Sequence, residues 1–219
     1  IKQIALVTGG SMGALQTWEW AVRYPDMVKR AAPMAGTAKT TDYLFLLLEA
    51  YNAAMTSDPN WKNGNYKSAS DVVDGLKRLA QLWALTGWST DFFKQEVWRE
   101  LGFSSVEEFM TGFMASYFTV MDPNALLSMG WKAQRADVSR MFGGDLKKAL
   151  GSIKAKVFVM PIDEDMLFKV KDCEYEQRMV PNSELRVIKN CGHLGLFDVQ
   201  PDYMPQIDKN LRELLSIRV

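Results

Sequence analysis

The chain holds 219 residues, 47% hydrophobic and 11% aromatic, which suits one large domain or a domain with an insertion and excludes a disordered chain. Lys plus Arg and Asp plus Glu stand at 26 each, so no charge excess points to nucleic acid or to an anionic membrane. Cys173, Cys191 and the single His193 form neither a disulfide framework nor a metal-ligand pattern, and no apolar run reaches the ~18 residues of a membrane span. Reduced thiols in a cytoplasm, with no metal and no tightly bound cofactor, are the expectation.

Taken in chain order, the apolar run 4–7 predicts a strand that leads into Gly9-Gly10-Ser11-Met12-Gly13. Leu15, Trp18, Ala21 and Val22 recur at helical spacing, so a helix is predicted over 14–23, ended by Pro25. Residues 28–35 are apolar and read as the next strand. From 42 to 148 the pattern is almost wholly helical. Ser68 to Asp71, Ser89-Thr90 and Ser104-Ser105 supply caps, and the breaks fall at 58–60, 61–66, 86–87, 102 and 122–124. Strand character returns over 155–161, a helix is predicted over 172–179, a short strand over 185–188 and an amphipathic helix over 205–215. Strand, helix, strand with loops between is the signature of a doubly wound α/β sheet.

Three residues then carry the chemistry. G-x-S-x-G between a strand and a helix is a nucleophile elbow, in which Ser11 stands exposed and helix N-terminal amides lie beside it. In so tight a turn Gly9 and Gly13 leave room for strand and helix to approach. The carboxylates Asp163, Glu164 and Asp165 follow the 155–161 strand, and His193 follows the last one. Ser11, then a carboxylate of this cluster, then His193 is the chain order of the α/β-hydrolase triad. The backbone N–H of Met12 is the expected oxyanion donor. A glycine-rich nucleotide turn is the rival for the elbow. It would want a further Gly near position 15, where Leu15 stands, and a Tyr with Lys four residues on, which none of the seven tyrosines has.

Several stretches resemble the homoserine O-acetyltransferases of the α/β-hydrolase superfamily. They are Gly9 to Gly13 running on to Trp20-Ala-Val-Arg-Tyr-Pro25-Asp26; Asp58 to Trp61 with Asn63 to Tyr66; Asp122 to Leu126; Ala149 to Val157; and Ile162 to Phe168. The resemblance implies an α/β-hydrolase fold, a mostly parallel sheet with an inserted helical lid. It divides the chain into 1–41 with the elbow, 42–148 as the lid, and 149–219 with acid and base. It gives Ser11 as nucleophile, Asp165 as triad acid, His193 as base, acetyl-CoA as acyl donor, and a homodimer joined through the lid. Since the elbow strand lies mid-sheet in that fold, the chain reads as the C-terminal part of a longer protein, whose earlier residues would bring the second oxyanion donor.

The departures bear on the substrate. Family members that take homoserine carry a lid Arg and Tyr and an Asp directly after the catalytic His; here Ala80, Gly87 and Leu194 stand in those places, with Arg78 near the first. A zwitterion bound without those charges would cost several kcal/mol. The expectation is therefore acyl transfer through an acyl-enzyme on Ser11, either to another alcohol or to water as ester hydrolysis. Phe109, Phe113 and Trp131 are candidates for lining the acyl pocket, Lys39 reads as a solvated loop charge, and Cys191 as structural. A catalytically silent module, kept for dimerisation or ligand binding, is the alternative from another class.

Overall fold

The computed structural model describes residues 1–197 and 203–219. Its elements in chain order begin with β1 (Val7–Gly10), α1 (Met12–Arg23) and β2 (Arg30–Met34). Six helices follow: α2 (Asp42–Thr56), α3 (Val73–Gly87), α4 (Thr90–Lys94), α5 (Val106–Phe109), α6 (Ser116–Thr119) and α7 (Pro123–Gln134). The remainder is α8 (Leu146–Gly151), β3 (Lys156–Val159), α9 (Val170–Gln177), β4 (Ser183–Leu185) and α10 (Tyr203–Ser216). Two compact units result, Ile1–Thr40 with Ala136–Val219, and Thr41–Arg135.

In the first unit the strands lie in the order β1-β2-β3-β4, all parallel. The central parallel strands β2 and β3 are buried on both faces, which is why they are rich in Ala, Val, Phe and Met without polar alternation. One face packs Ala31, Val157 and Val159 against Trp18, Ala21 and Val22 of α1, Ala149 and Leu150 of α8, and Cys173 of α9. The other packs Ala32, Phe158 and Met160 against Tyr203, Ile207 and Leu214 of α10. Trp18 and Phe158 are fully buried, each such side chain contributing about 1.5–3 kcal/mol relative to exposure. The sheet is thus covered on both sides, and its free edge for chemistry is the one where the strands end.

The second unit closes on its own aromatic core. Trp88 stacks on Phe92 with ring centroids 4.2 Å apart, and Phe109 packs on both. The predicted caps Ser89 and Ser105 are made, and Thr41 and Asp122, not marked as caps in the sequence, do the same: each accepts a backbone N–H of the first turn. Ser68 builds a capping box with Asp71.

Two boundaries differ from those expected of the sequence. Residues 136–148, whose pattern continues the helical block, belong to the sheet unit. The chain re-enters at Ala136, whose carbonyl accepts from Thr40 N at 2.9 Å, and Val138 joins the sheet core. The last strand begins two residues earlier, at Ser183, and beyond Leu185 only the bridge from Ile162 to Ile188 continues it.

Candidate active site

Ser11 ends β1 and sits at the N-cap of α1 with φ 55° and ψ −117°, a backbone conformation that L-residues avoid. A serine at this place ordinarily turns its hydroxyl back to cap the helix. Ser11 makes no such bond. Its Oγ lies instead 2.9 Å from His193 Nε2. The first-turn amides of α1, Met12 N–H among them, are left without a side-chain cap and with no acid in the turn, a place that favours a developing negative charge.

The elbow closes because Gly9 lacks a side chain: a Cβ there would come within 2.8 Å of the Gly13 backbone. The partnership is one-sided. A Cβ on Gly13 would meet nothing within 4 Å, so of the two flanking glycines only Gly9 is sterically required.

Asp165 follows β3 and is buried. Its Oδ1 accepts from Leu167 N at 2.7 Å and Phe168 N at 3.0 Å, which fixes the carboxylate plane. The other oxygen, Oδ2, lies 2.7 Å from His193 Nδ1. His193 opens a short 3-10 turn after β4, His193–Phe197, and the Phe168 ring stacks against its imidazole with centroids 5.7 Å apart. The loop before it is fastened to the acid loop, since Asn190 N donates to Asp163 Oδ2 at 3.2 Å with Asn190 at φ 64°. Of the three clustered carboxylates, Asp165 reaches the histidine and Asp163 holds its loop. Ser11, Asp165 and His193 therefore meet at the C-terminal ends of β1, β3 and β4.

The remaining candidate residues have other surroundings. Cys191 is buried, and burial with the carboxylates Asp163, Asp165 and Glu164 nearby pushes its thiol up to about 12, so it is inert as a nucleophile. Lys39 is paired with Asp137 at 3.2 Å. Phe109 belongs to the core of the helical unit, Trp131 is exposed beneath the Arg135 guanidinium, and Arg78 Nε donates to Ala54 O. Leu194, next to His193, is buried and apolar. Glu176, a buried carboxylate on α9, gave no signal in the sequence. It and Cys173 are the buried residues of an otherwise polar helix, so no apolar stripe marks its inner face.

A parallel sheet whose strand ends gather a strained serine, a histidine and a buried aspartate is the arrangement of the α/β hydrolases. The chain belongs to that family: the profile described as alpha/beta hydrolase fold matches residues 1–199. It is 55% identical over 217 residues to the ethyl acetate hydrolase of Pseudomonas veronii, covering 99% of this chain and 62% of that protein. The crystal structure of an acetylester hydrolase from Corynebacterium glutamicum matches with a TM-score of 0.97 at 54% identity, over 99% of this chain and 62% of that one. The homoserine O-acetyltransferase of Trichormus variabilis is 28% identical over 222 residues, covering 100% of this chain and 61% of the relative. The likeness to acetyltransferases is thus real but more distant than that to ester hydrolases, and the chain spans about three fifths of the length of these relatives.

Proposed function

We propose that this chain carries the catalytic residues of an ester hydrolase acting on small acyl esters, acetyl esters first among them. The observation that carries the reading is the continuous hydrogen-bonded line from Asp165 through His193 to Ser11. His193 Nε2 takes the Ser11 proton as Oγ attacks the ester carbonyl, and Asp165 holds the imidazole by Nδ1 and stabilises the imidazolium. Met12 N–H, at the start of α1, receives the oxyanion. The proton then passes to the departing alkoxide, leaving an acyl group on Ser11. Water, deprotonated by the same His193, attacks the acyl carbonyl and releases the acid.

Water is favoured over homoserine as acceptor by the apolar, buried Leu194 beside the base, which offers no charge to an ammonium group. The names of the relatives at 54–55% identity point the same way. Transfer from acetyl-CoA to an alcohol is the second reading, carried by the likeness to the acetyltransferases. The lid role and homodimer are assigned to the helical unit. The exposed apolar side chains Leu46, Leu85, Val120 and Trp131 on that unit support an interface. A cytoplasmic location fits the buried free thiols of Cys173 and Cys191.

The deciding experiment is intact-mass spectrometry of the protein mixed with p-nitrophenyl acetate and, separately, acetyl-CoA, beside Ser11→Ala. Hydrolase action predicts rapid ester turnover with little adduct from the thioester, abolished in Ser11→Ala. An acetyl adduct that waits for an added alcohol would establish transfer, and absence of any adduct or turnover would establish the silent module.

A further inference from the structure

A second strained residue lies behind the nucleophile. Ala35, just past β2, has φ 47°, and the turn around it is fixed on both sides: Ser11 N donates to Met34 O at 2.9 Å and Ala35 N to Met160 O at 3.0 Å. The next residue, Gly36, presses on the elbow. A Cβ there would stand 2.5 Å from Ala14 Cβ and 3.0 Å from Ser11 O, and its carbonyl accepts from Trp18 Nε1 at 3.2 Å. Residues 38–40 then run antiparallel to 136–138, joined by Thr40 N to Ala136 O at 2.9 Å and Val138 N to Ala38 O at 3.2 Å. This two-stranded neck carries the chain out to the helical unit and back.

Against the neck lies Glu176, 4% exposed, with both carboxylate oxygens engaged. Oε2 accepts from Ala38 N at 2.6 Å and Oε1 from Lys39 N at 3.0 Å. Among the described residues it forms no ion pair; the Lys39 ammonium goes to Asp137. Burying a carboxylate without a cation is an expensive way to hold a loop that apolar packing could hold. Strained backbone persists only where its surroundings over-determine it.

We propose that Glu176 is a positioning residue, which through the amides of Ala38 and Lys39 fixes residues 35–39 against the Ser11 elbow and so sets the nucleophile. The inference rests on the reading of Ser11 as nucleophile. The ionised carboxyl accepts most strongly with both oxygens; a proton on either makes that oxygen a weaker acceptor and adds a donor that faces an amide donor. Burial raises Glu176 to about 8, opposed by the two amides and reinforced by Asp172 and Asp137. The titratable and charged groups facing it are Asp172 and Cys173 on its own helix and Lys39 and Asp137 on the neck. The clamp therefore completes as pH rises through that value.

The test is the rate constant for Ser11 modification by a fluorophosphonate, from pH 6 to 9.5, in the intact protein, in Glu176→Gln and in Lys154→Met. The expected result is an ionisation near pH 8 in the unmutated protein. Glu176→Gln should lack it and react about 10- to 100-fold more slowly at pH 9, since small misplacements of a nucleophile cost this much. Lys154→Met, which removes an exposed ion pair with Asp26 outside the neck, should follow the unmutated protein. A Glu176→Gln variant with the parent rate overturns the proposal, and so does one slowed equally at every pH, which marks a merely structural role. Should that variant not fold, absence of the pH 8 ionisation in the unmutated protein overturns it. If the unmutated protein is not modified at all, the nucleophile reading itself falls, and the inference with it.

Discussion

At the scale of single residues, the site depends on which atoms stay unoccupied. Ser11 gives up the helix cap for His193, while Asp165 commits one oxygen to two amides and keeps the other for the imidazole. Asp165→Asn should lower ester turnover about 10⁴-fold, because an amide NH2 facing Nδ1 holds the imidazole in the tautomer that donates to Ser11; steady-state kcat with unchanged circular dichroism checks this. The two elbow glycines should separate cleanly. Gly9→Ala forces a Cβ to 2.8 Å from backbone, and we expect a loss of about 1–3 kcal/mol by urea denaturation. Gly13→Ala meets open space at the start of a helix, and we expect no loss and a gain of up to about 1 kcal/mol. Equal losses in the two variants would contradict this asymmetry.

At the scale of elements, the helical unit is held at its breaks as much as in its helices. Asp122 caps α7 through Oδ1, accepting from Ala125 N at 2.9 Å, while Oδ2 accepts from Tyr66 Oη at 2.7 Å. That phenol in turn accepts from Asn124 N at 3.0 Å, tying a loop to a helix start 58 residues on. Tyr66→Phe should cost about 1 kcal/mol and Asp122→Ala more, since the latter removes cap and tether together. Thermal unfolding of the two variants and their double mutant measures this; full additivity would show that the tether and the cap act independently. The serine caps were legible, because Ser89 and Ser105 accept from amides only three residues on, whereas Asp122 read only as a break. Tyr66 stands out in the sequence only as the end of a stretch shared with the acetyltransferases, since nothing local says what its hydroxyl meets.

At the scale of the whole molecule, charge burial sets the response to pH. Glu176 is raised from 4.5 to about 8, chiefly by burial. Between those values the folded chain retains a proton that the unfolded chain has released, so stability is greatest below the lower value and falls as pH rises towards the upper one. The slope is at most about 1.4 kcal/mol per pH unit. Asp137 shifts the other way: burial would raise it, but hydrogen bonds from Ser139 and Lys39 hold it below the ordinary range, so its contribution is lost only in acid. Melting temperature should therefore decline from pH 5 to pH 8, and Glu176→Gln should flatten that decline. A decline of the same steepness in the variant would assign it to other groups.

The sequence by itself determined the family and the identity of the three residues that meet at the strand ends. An elbow is a local object: five residues, whose sterics admit little but glycine at its tightest point, set between a strand and a helix. With one histidine in the chain, the residue that meets Ser11 Oγ had no competitor of its type. Asp165 was given by the resemblance over 162–168, and the Leu167 and Phe168 that close that stretch supply the two amides that orient it. The tertiary structure decided what depends on partners distant in the chain. Glu176 lies 138 residues from Ala38, in a helix whose composition marks no inner face. The re-entry at Ala136 is set by pairing with residues 38–40, and the difference between Gly9 and Gly13 by the direction in which each missing Cβ would point. Local sterics and periodicity are written along the chain, whereas a buried charge finds its amides only when the sheet, the neck and α9 have come together.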